Sequence, residues 1–224
     1  MTMQYSPSLK FNQDGQPQYG LLGQQSYLLS FFNAKSSNAS YPGTAVVSTT
    51  DFDTWAVNLT GTFNYADWNW SITRSVGALH DNTGLQPDSD TQSTSLSGAW
   101  RLMRDRLTFA PRWQLDVNNV SGLEYKTGLL SLDMTMLIWN GDVTAQLGYT
   151  QSHLEASNGT FDTTTSIYRP SVEWRLSAGA RNKPGASLRL SGLFTGIKDK
   201  VTAANTIDSY QVMLTVIVGA QFGL

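Results

Sequence analysis

The sequence contains no cysteine and only 14% charged residues. The missing thiols exclude disulfide scaffolds, thiolate metal sites and cysteine nucleophiles. The low charge sets the chain apart from an average soluble domain, which carries about 25%. Long apolar runs are missing too. A membrane-spanning helix needs about 18 or more nearly continuous apolar residues. The best candidate, Val212–Val218, stops far short and is rich in β-branched types that favour strands. With 15 Lys and Arg against 17 Asp and Glu there is no basic stripe, so no nucleic-acid partner is expected. Met1-Thr-Met-Gln4 lacks the basic start and apolar stretch of a secretory leader, which implies a removed leader or a piece of something longer.

What is present is alternation. From about Leu21 onward apolar and polar residues trade places with period two, the signature of a strand with two different faces. Tyr210, Val212, Leu214, Val216 and Val218 oppose Gln211 and Thr215. Tyr168, Val172, Trp174 and Leu176 oppose Arg169, Ser171, Glu173 and Arg175, and Leu107, Phe109, Trp113 and Leu115 oppose Arg106, Arg112 and Asp116. Ten such segments are expected, near 22–35, 51–64, 67–80, 92–103, 106–118, 123–138, 142–155, 163–180, 185–198 and 207–224. Each is close to the strand length a bilayer demands.

The connections alternate as well. Tyr65–Asp67, Met103–Asp105, Trp139–Asp142 and Arg181–Pro184 read as tight turns, with Asn140-Gly141 a strong hairpin signal. Between them fall the polar loops Lys35–Thr50, Leu79–Ser93, Asn118–Gly122, Glu155–Thr163 and Lys198–Ile207. Short and long links in strict turn match a transmembrane barrel. The expected fold is therefore all-β, an antiparallel up-and-down transmembrane β-barrel of about 10 strands, or 12, or part of a larger barrel. Residues 21–224 form it, and residues 1–20 serve as tether, plug or extra strand. Two aromatic girdles complete the pattern. Phe63, Tyr65, Trp68, Trp70, Trp100 and Phe109 gather near the short turns, and Trp55, Tyr149, Tyr168 and Tyr210 toward the long loops.

The ending Gly219-Ala-Gln-Phe222-Gly-Leu224 resembles the C-terminal assembly signal of the bacterial outer-membrane β-barrel superfamily: a Gly, an aromatic three residues on, and a terminal hydrophobe. It departs from that pattern at Leu224, where an aromatic is usual, and at Ile217, where a polar residue is common. The resemblance implies an integral outer-membrane protein with periplasmic termini. Its implied partners are lipid and lipopolysaccharide, the outer-membrane assembly machinery, and a periplasmic or envelope protein.

In such a barrel Arg101, Arg106, Arg112, Arg169, Arg175 and Arg189 line the lumen with Asp116, Asp133 and Glu173. An Arg–carboxylate ladder is a natural filling for a narrow bore. The expected role is a membrane anchor or narrow pore module within a larger envelope or transport assembly. The excess of arginine makes a small porin or exporter for anionic solutes the alternative. A rim enzyme comes third, on His80-Asp81 and on Ser152-His153 with Glu155, but adjacent Ser and His point to opposite faces of a strand. No catalysis, cofactor or metal is expected; Asp88-Ser-Asp90 beside Asp81, and Asp51-Phe-Asp53, lack the remaining ligands of a cation loop. Three residues fit poorly. Arg74 has the apolar parity, and Pro111 and Pro170 fall inside strands where each loses a ladder bond unless a bulge receives it.

Overall fold

A computed structural model describes residues 1–5, 10–11, 17–18, 23–39, 49–139, 142–177 and 185–219. The alternating segments form strands. In chain order they are β1 (Thr2–Tyr5), β2 (Lys10–Phe11), β3 (Pro17–Gln18), β4 (Gln24–Ala39), β5 (Thr49–Tyr65), β6 (Trp68–Asp81) and β7 (Ser89–Leu102). They continue with β8 (Leu107–Val120), β9 (Leu123–Ile138), β10 (Val143–Ala156), β11 (Asp162–Ser177), β12 (Gly185–Asp199) and β13 (Ile207–Gly219). The ten long strands match the ten segments read from alternation. Several run further into polar sequence than expected, because the backbone ladder continues where side chains turn hydrophilic. Ser36 pairs with Phe52, and Phe52 in turn with Asp81.

One antiparallel sheet holds eleven strands in the order β1-β4-β5-β6-β7-β8-β9-β10-β11-β12-β13, while β2 and β3 form a separate pair. The order ends at β1 and at β13, and among the described residues no pairing joins those ends. The sheet is open, and this corrects the expectation of a closed barrel. Alternation and hairpin links specify which neighbours pair; closure further requires the first and last strands to match. Here β1 is four residues long and reaches only Tyr27–Ser30 of β4, against thirteen residues in β13.

The correction carries several others. Within hydrocarbon every backbone N–H and C=O needs a partner, so helices and closed barrels span bilayers and open sheets do not. The outer-membrane location with periplasmic termini, the pore, anchor and exporter roles, and the lipid, lipopolysaccharide and assembly-machinery partners are withdrawn with the barrel. So is the superfamily resemblance. Gly219 ends β13, whereas Phe222 and Leu224 lie outside the described residues. The turns at Asn140-Gly141 and Arg181–Pro184 lie outside them too.

The chain divides into two units. One comprises 1–97, 113–128 and 154–160, the other 98–112, 129–153 and 161–224. In the first, β4 and β5 pair without interruption from Gln24↔Asn64 to Ala39↔Thr49, and β5 and β6 from Phe52↔Asp81 to Tyr65↔Trp68. Gly23 makes this start achievable: its φ is +68°, and a Cβ there would run into the Asn64 carbonyl oxygen. In the second unit β12 and β13 are in register from Gly185↔Gly219 to Ile197↔Ile207. The β11–β12 ladder lapses at Arg169-Pro170 and shifts register between Arg175 and Ser177.

The two faces of the strands differ as the alternation requires, but the apolar one is exposed. Trp174, Leu176, Leu190, Leu214 and Val218 stand open, and the buried apolar side chains are Val143 and Ala156 among the described residues. Large uncovered apolar surface is characteristic of an interaction face.

Candidate functional site

The site begins with a proline. Pro170 has no N–H to give, so the β11–β12 ladder is silent from Tyr168↔Phe194 to Ser171↔Ser191 while the register on either side is unchanged. The register shift of this ladder lies at Arg175/Ser177 and not at the proline. Across the gap stands Gly192, where a Cβ would meet the Pro170 ring at 3.3 Å. One strand away Gly148 leaves a second gap, into which Asp133 and Arg169 lean from β9 and β11. A Cβ on Gly148 would lie 3.2 Å from Asp133 Oδ1 and 3.3 Å from Arg169 Nε.

These omissions leave a hollow of about 460 Å³ on the polar side, lined by Arg169, Arg189, Asp133, Gln146, Ser171 and Ser191 among others. Arg169 donates to Thr150 Oγ1 at 3.1 Å, and Ser171 to Gln146 Oε1 at 3.3 Å. Arg189 is opposite Glu173 in the ladder, yet the two side chains do not close an ion pair. Among the described residues neither Arg169 nor Arg189 pairs with a carboxylate. Two guanidinium groups against one carboxylate leave the hollow with one net positive charge. A second hollow of about 360 Å³ touches Pro170 and Gly192 and is apolar, walled by Met136, Val172, Phe194 and Val212.

Of the nine charged residues expected to act together, the hollow gathers Asp133, Arg169 and Arg189. Arg101 is exposed and sits 4.0 Å from Asp105. Arg106 occupies the tight turn, where its carbonyl accepts from Leu137 N–H at 2.7 Å. Arg112 and Arg175 are exposed, and Asp116 accepts from Gln114 Nε2 at 2.7 Å. With the sheet open there is no lumen for any of them. Several of the aromatic residues expected in girdles meet in local pairs. Trp68 and Trp70 lie 6.1 Å apart, Trp100 meets Phe109 edge-on at 6.5 Å, and Tyr149 and Tyr168 lie 4.8 Å apart. Phe63 takes Tyr27 edge-on at 5.9 Å, Tyr65 is the ladder partner of Trp68, and Trp55 and Tyr210 are exposed. Arg74 hydrogen-bonds Gln92 Oε1 at 2.6 Å and Thr94 Oγ1, and its pairing with Leu59 of β5 is unshifted.

The remaining polar clusters tie down loops and link neighbouring strands. Asp81, 4% exposed, accepts from Thr83 Oγ1 at 2.6 Å, Thr83 N–H at 2.9 Å and Gln86 N–H at 2.5 Å. These bonds, the Thr83 hydroxyl foremost, hold its carboxyl below the usual range. Asp88 accepts from Asp81 N–H at 2.9 Å and lies 2.6 Å from His80 Nδ1; the backbone bond first and then the imidazole lower it likewise. Lys126 is raised by Glu124 at 2.7 Å, with Glu155 at 3.8 Å. Asp162 holds Lys200 at 2.9 Å and faces His153 at 3.7 Å, while His153 Nδ1 is 3.0 Å from Thr164 Oγ1. Ser152 is absent from that group. Among the described residues no three metal-ligating side chains converge.

Sequence reasoning missed the hollow itself. Its signal was there in Pro170, an awkward strand residue, and in Gly148 and Gly192. Which strand positions face one another was needed to read it.

Comparison with protein-family models, curated proteins and solved structures finds no match.

Proposed function

We propose that the chain is a non-catalytic binding module for a small organic anion, a carboxylate or a phosphate, held at Arg169 and Arg189. One observation carries this reading: two arginines without carboxylate partners converge on a hollow of ligand size. A guanidinium offers paired donors to either oxyanion, and Ser191 and Gln146 offer hydrogen bonds to hydroxyl groups beside it. Asp133 sets the limit on charge, favouring a monoanion over a dianion.

Calorimetric titration of the whole chain at about pH 5.5 with inorganic phosphate, glycerol phosphate and lactate, which are mainly monoanions there, tests this and separates the two oxyanions. Hydrogen bonds to charged groups contribute about 1.5–3 kcal/mol. Arg189→Gln is therefore expected to weaken binding roughly 10- to 100-fold. Asp133→Asn is expected to change it in the opposite direction, tightening it several-fold (a factor of about 3, from one screened like-charge repulsion). Absence of heat with all three anions, or an affinity indifferent to Arg189, sinks the proposal.

A further inference from the structure

The edge of β13, free among the described residues, is unlike the edges that sheets normally present. Thirteen consecutive pairs join it to β12 without a bulge, so its outer side is a straight row of backbone donors and acceptors. Sheets blunt such rows with lysine, proline, bulges or short length. Residues 207–219 contain no lysine and no proline, and their one charge, Asp208, is near the start. The side chains flanking that row are apolar and open, Tyr210 at 82% and Leu214 at 65%. The opposite end of the sheet is guarded. Among the described residues only the four of β1 cover β4 there, and past them β4 presents Lys35 with its Asp53 partner at 3.1 Å.

We propose that β13 pairs antiparallel with β13 of a second copy of this chain, about a two-fold axis at Met213. That register is self-complementary. Val212 meets Leu214, Tyr210 meets Val216, Gln211 meets Thr215, and each Asp208 meets Val218, so no like charges face each other. The eleven residues from 208 to 218 supply roughly ten interstrand hydrogen bonds, as many as a typical interface carries. A β13-to-β4 contact between copies is heterologous, leaves a free edge at each end and builds filaments. The two-fold pairing consumes the unguarded edge and stops.

Sedimentation equilibrium and a cysteine crosslink test the assignment. The chain has no cysteine, so Met213→Cys introduces one thiol per copy. At the two-fold the two Cα atoms lie about 4.5–5.5 Å apart, within disulfide range. With diamide as oxidant, two thiols become one disulfide and the diamide takes up the two hydrogens. A dimer at micromolar concentration is expected, with Met213→Cys crosslinking at least about tenfold faster than Gln211→Cys, whose partner is Thr215 (a difference of roughly 1.4 kcal/mol or more in barrier). Leu214→Lys is expected to give monomer with an unchanged far-ultraviolet spectrum. If that variant does not fold, the crosslink decides alone. Monomer at every concentration, an open-ended ladder of oligomers, or a dimer that crosslinks no faster through 213 than through 211 overturns the proposal.

Discussion

Strands β4–β6 and strands β10–β12 share one alternation but fill their polar faces differently. In the first region hydroxyl meets hydroxyl: Ser26 Oγ lies 2.5 Å from Thr62 Oγ1, and Thr60 Oγ1 lies 3.3 Å from Thr73 Oγ1. Donor and acceptor are interchangeable there, so each pair closes one neutral hydrogen bond and leaves no net charge to be met. In the second region the polar face carries guanidinium groups. These cannot accept, and their nearest ladder neighbours leave them without an ion pair. A face that closes on itself is structure; a face left with unanswered charge is a place for a ligand.

The largest effect that would break this comparison belongs to two glycines. Gly23→Ala forces a Cβ against the Asn64 carbonyl at a left-handed φ. Chemical denaturation should show a loss of about 3 kcal/mol or more. Gly148→Ala meets Asp133 Oδ1 and Arg169 Nε, both of which can shift, and the Arg169 Cβ at an ordinary 3.5 Å. It should cost less than about 1 kcal/mol while narrowing the anion hollow. If both substitutions destabilise alike, the second region is not the looser one.

Next in size is Thr62→Val, which removes the Ser26 partner. A loss of about 1 kcal/mol is expected, the net value of one hydrogen bond. Arg169→Gln, in contrast, should leave stability within about 0.5 kcal/mol, since this exposed side chain closes no ion pair. Equal losses would mean that the arginine is structural.

The smallest difference is in pH dependence, where each unit has an aspartate turned into its own loop. Asp81 is held below the ordinary carboxylate value by Thr83 and Gln86, and Asp199 by the Thr202 N–H and the Asn205 amide. A depressed carboxyl contributes stability above its unfolded value and loses it as pH falls through the folded one. Acid unfolding curves should therefore flatten for both Asp81→Asn and Asp199→Asn. The change should be greater for Asp81, which is nearly inaccessible to solvent. A steeper acid limb in either variant contradicts the sign.

Much of the local structure was legible before any coordinates. Tyr65 pairs with Trp68 around a two-residue turn, although Ala66 there takes a φ of +47° that composition does not announce. At Asn118–Gly122, expected as one of the polar loops, the structure has a two-residue turn instead: Ser121-Gly122, at +52° and +78°, has the paired positive angles of a tight hairpin. The loops at Lys35–Thr50 and Leu79–Ser93 were read too long, since hydroxyl and acidic side chains at strand ends suit water while their backbone stays in the ladder. Pro170 was visible as a misfit. That it faces Gly192, and that Arg169 and Asp133 meet over Gly148, depends on register across strands far apart in sequence.

By itself the sequence determined the strands, their order and the chemistry of each face, because period-two alternation and short links act between residues near in the chain. Tertiary structure alone decided that the sheet stays open, which arginines share a hollow, and which edge is left unguarded. Closure and convergence depend on the lengths and registers of non-adjacent strands, and no local pattern carries that information.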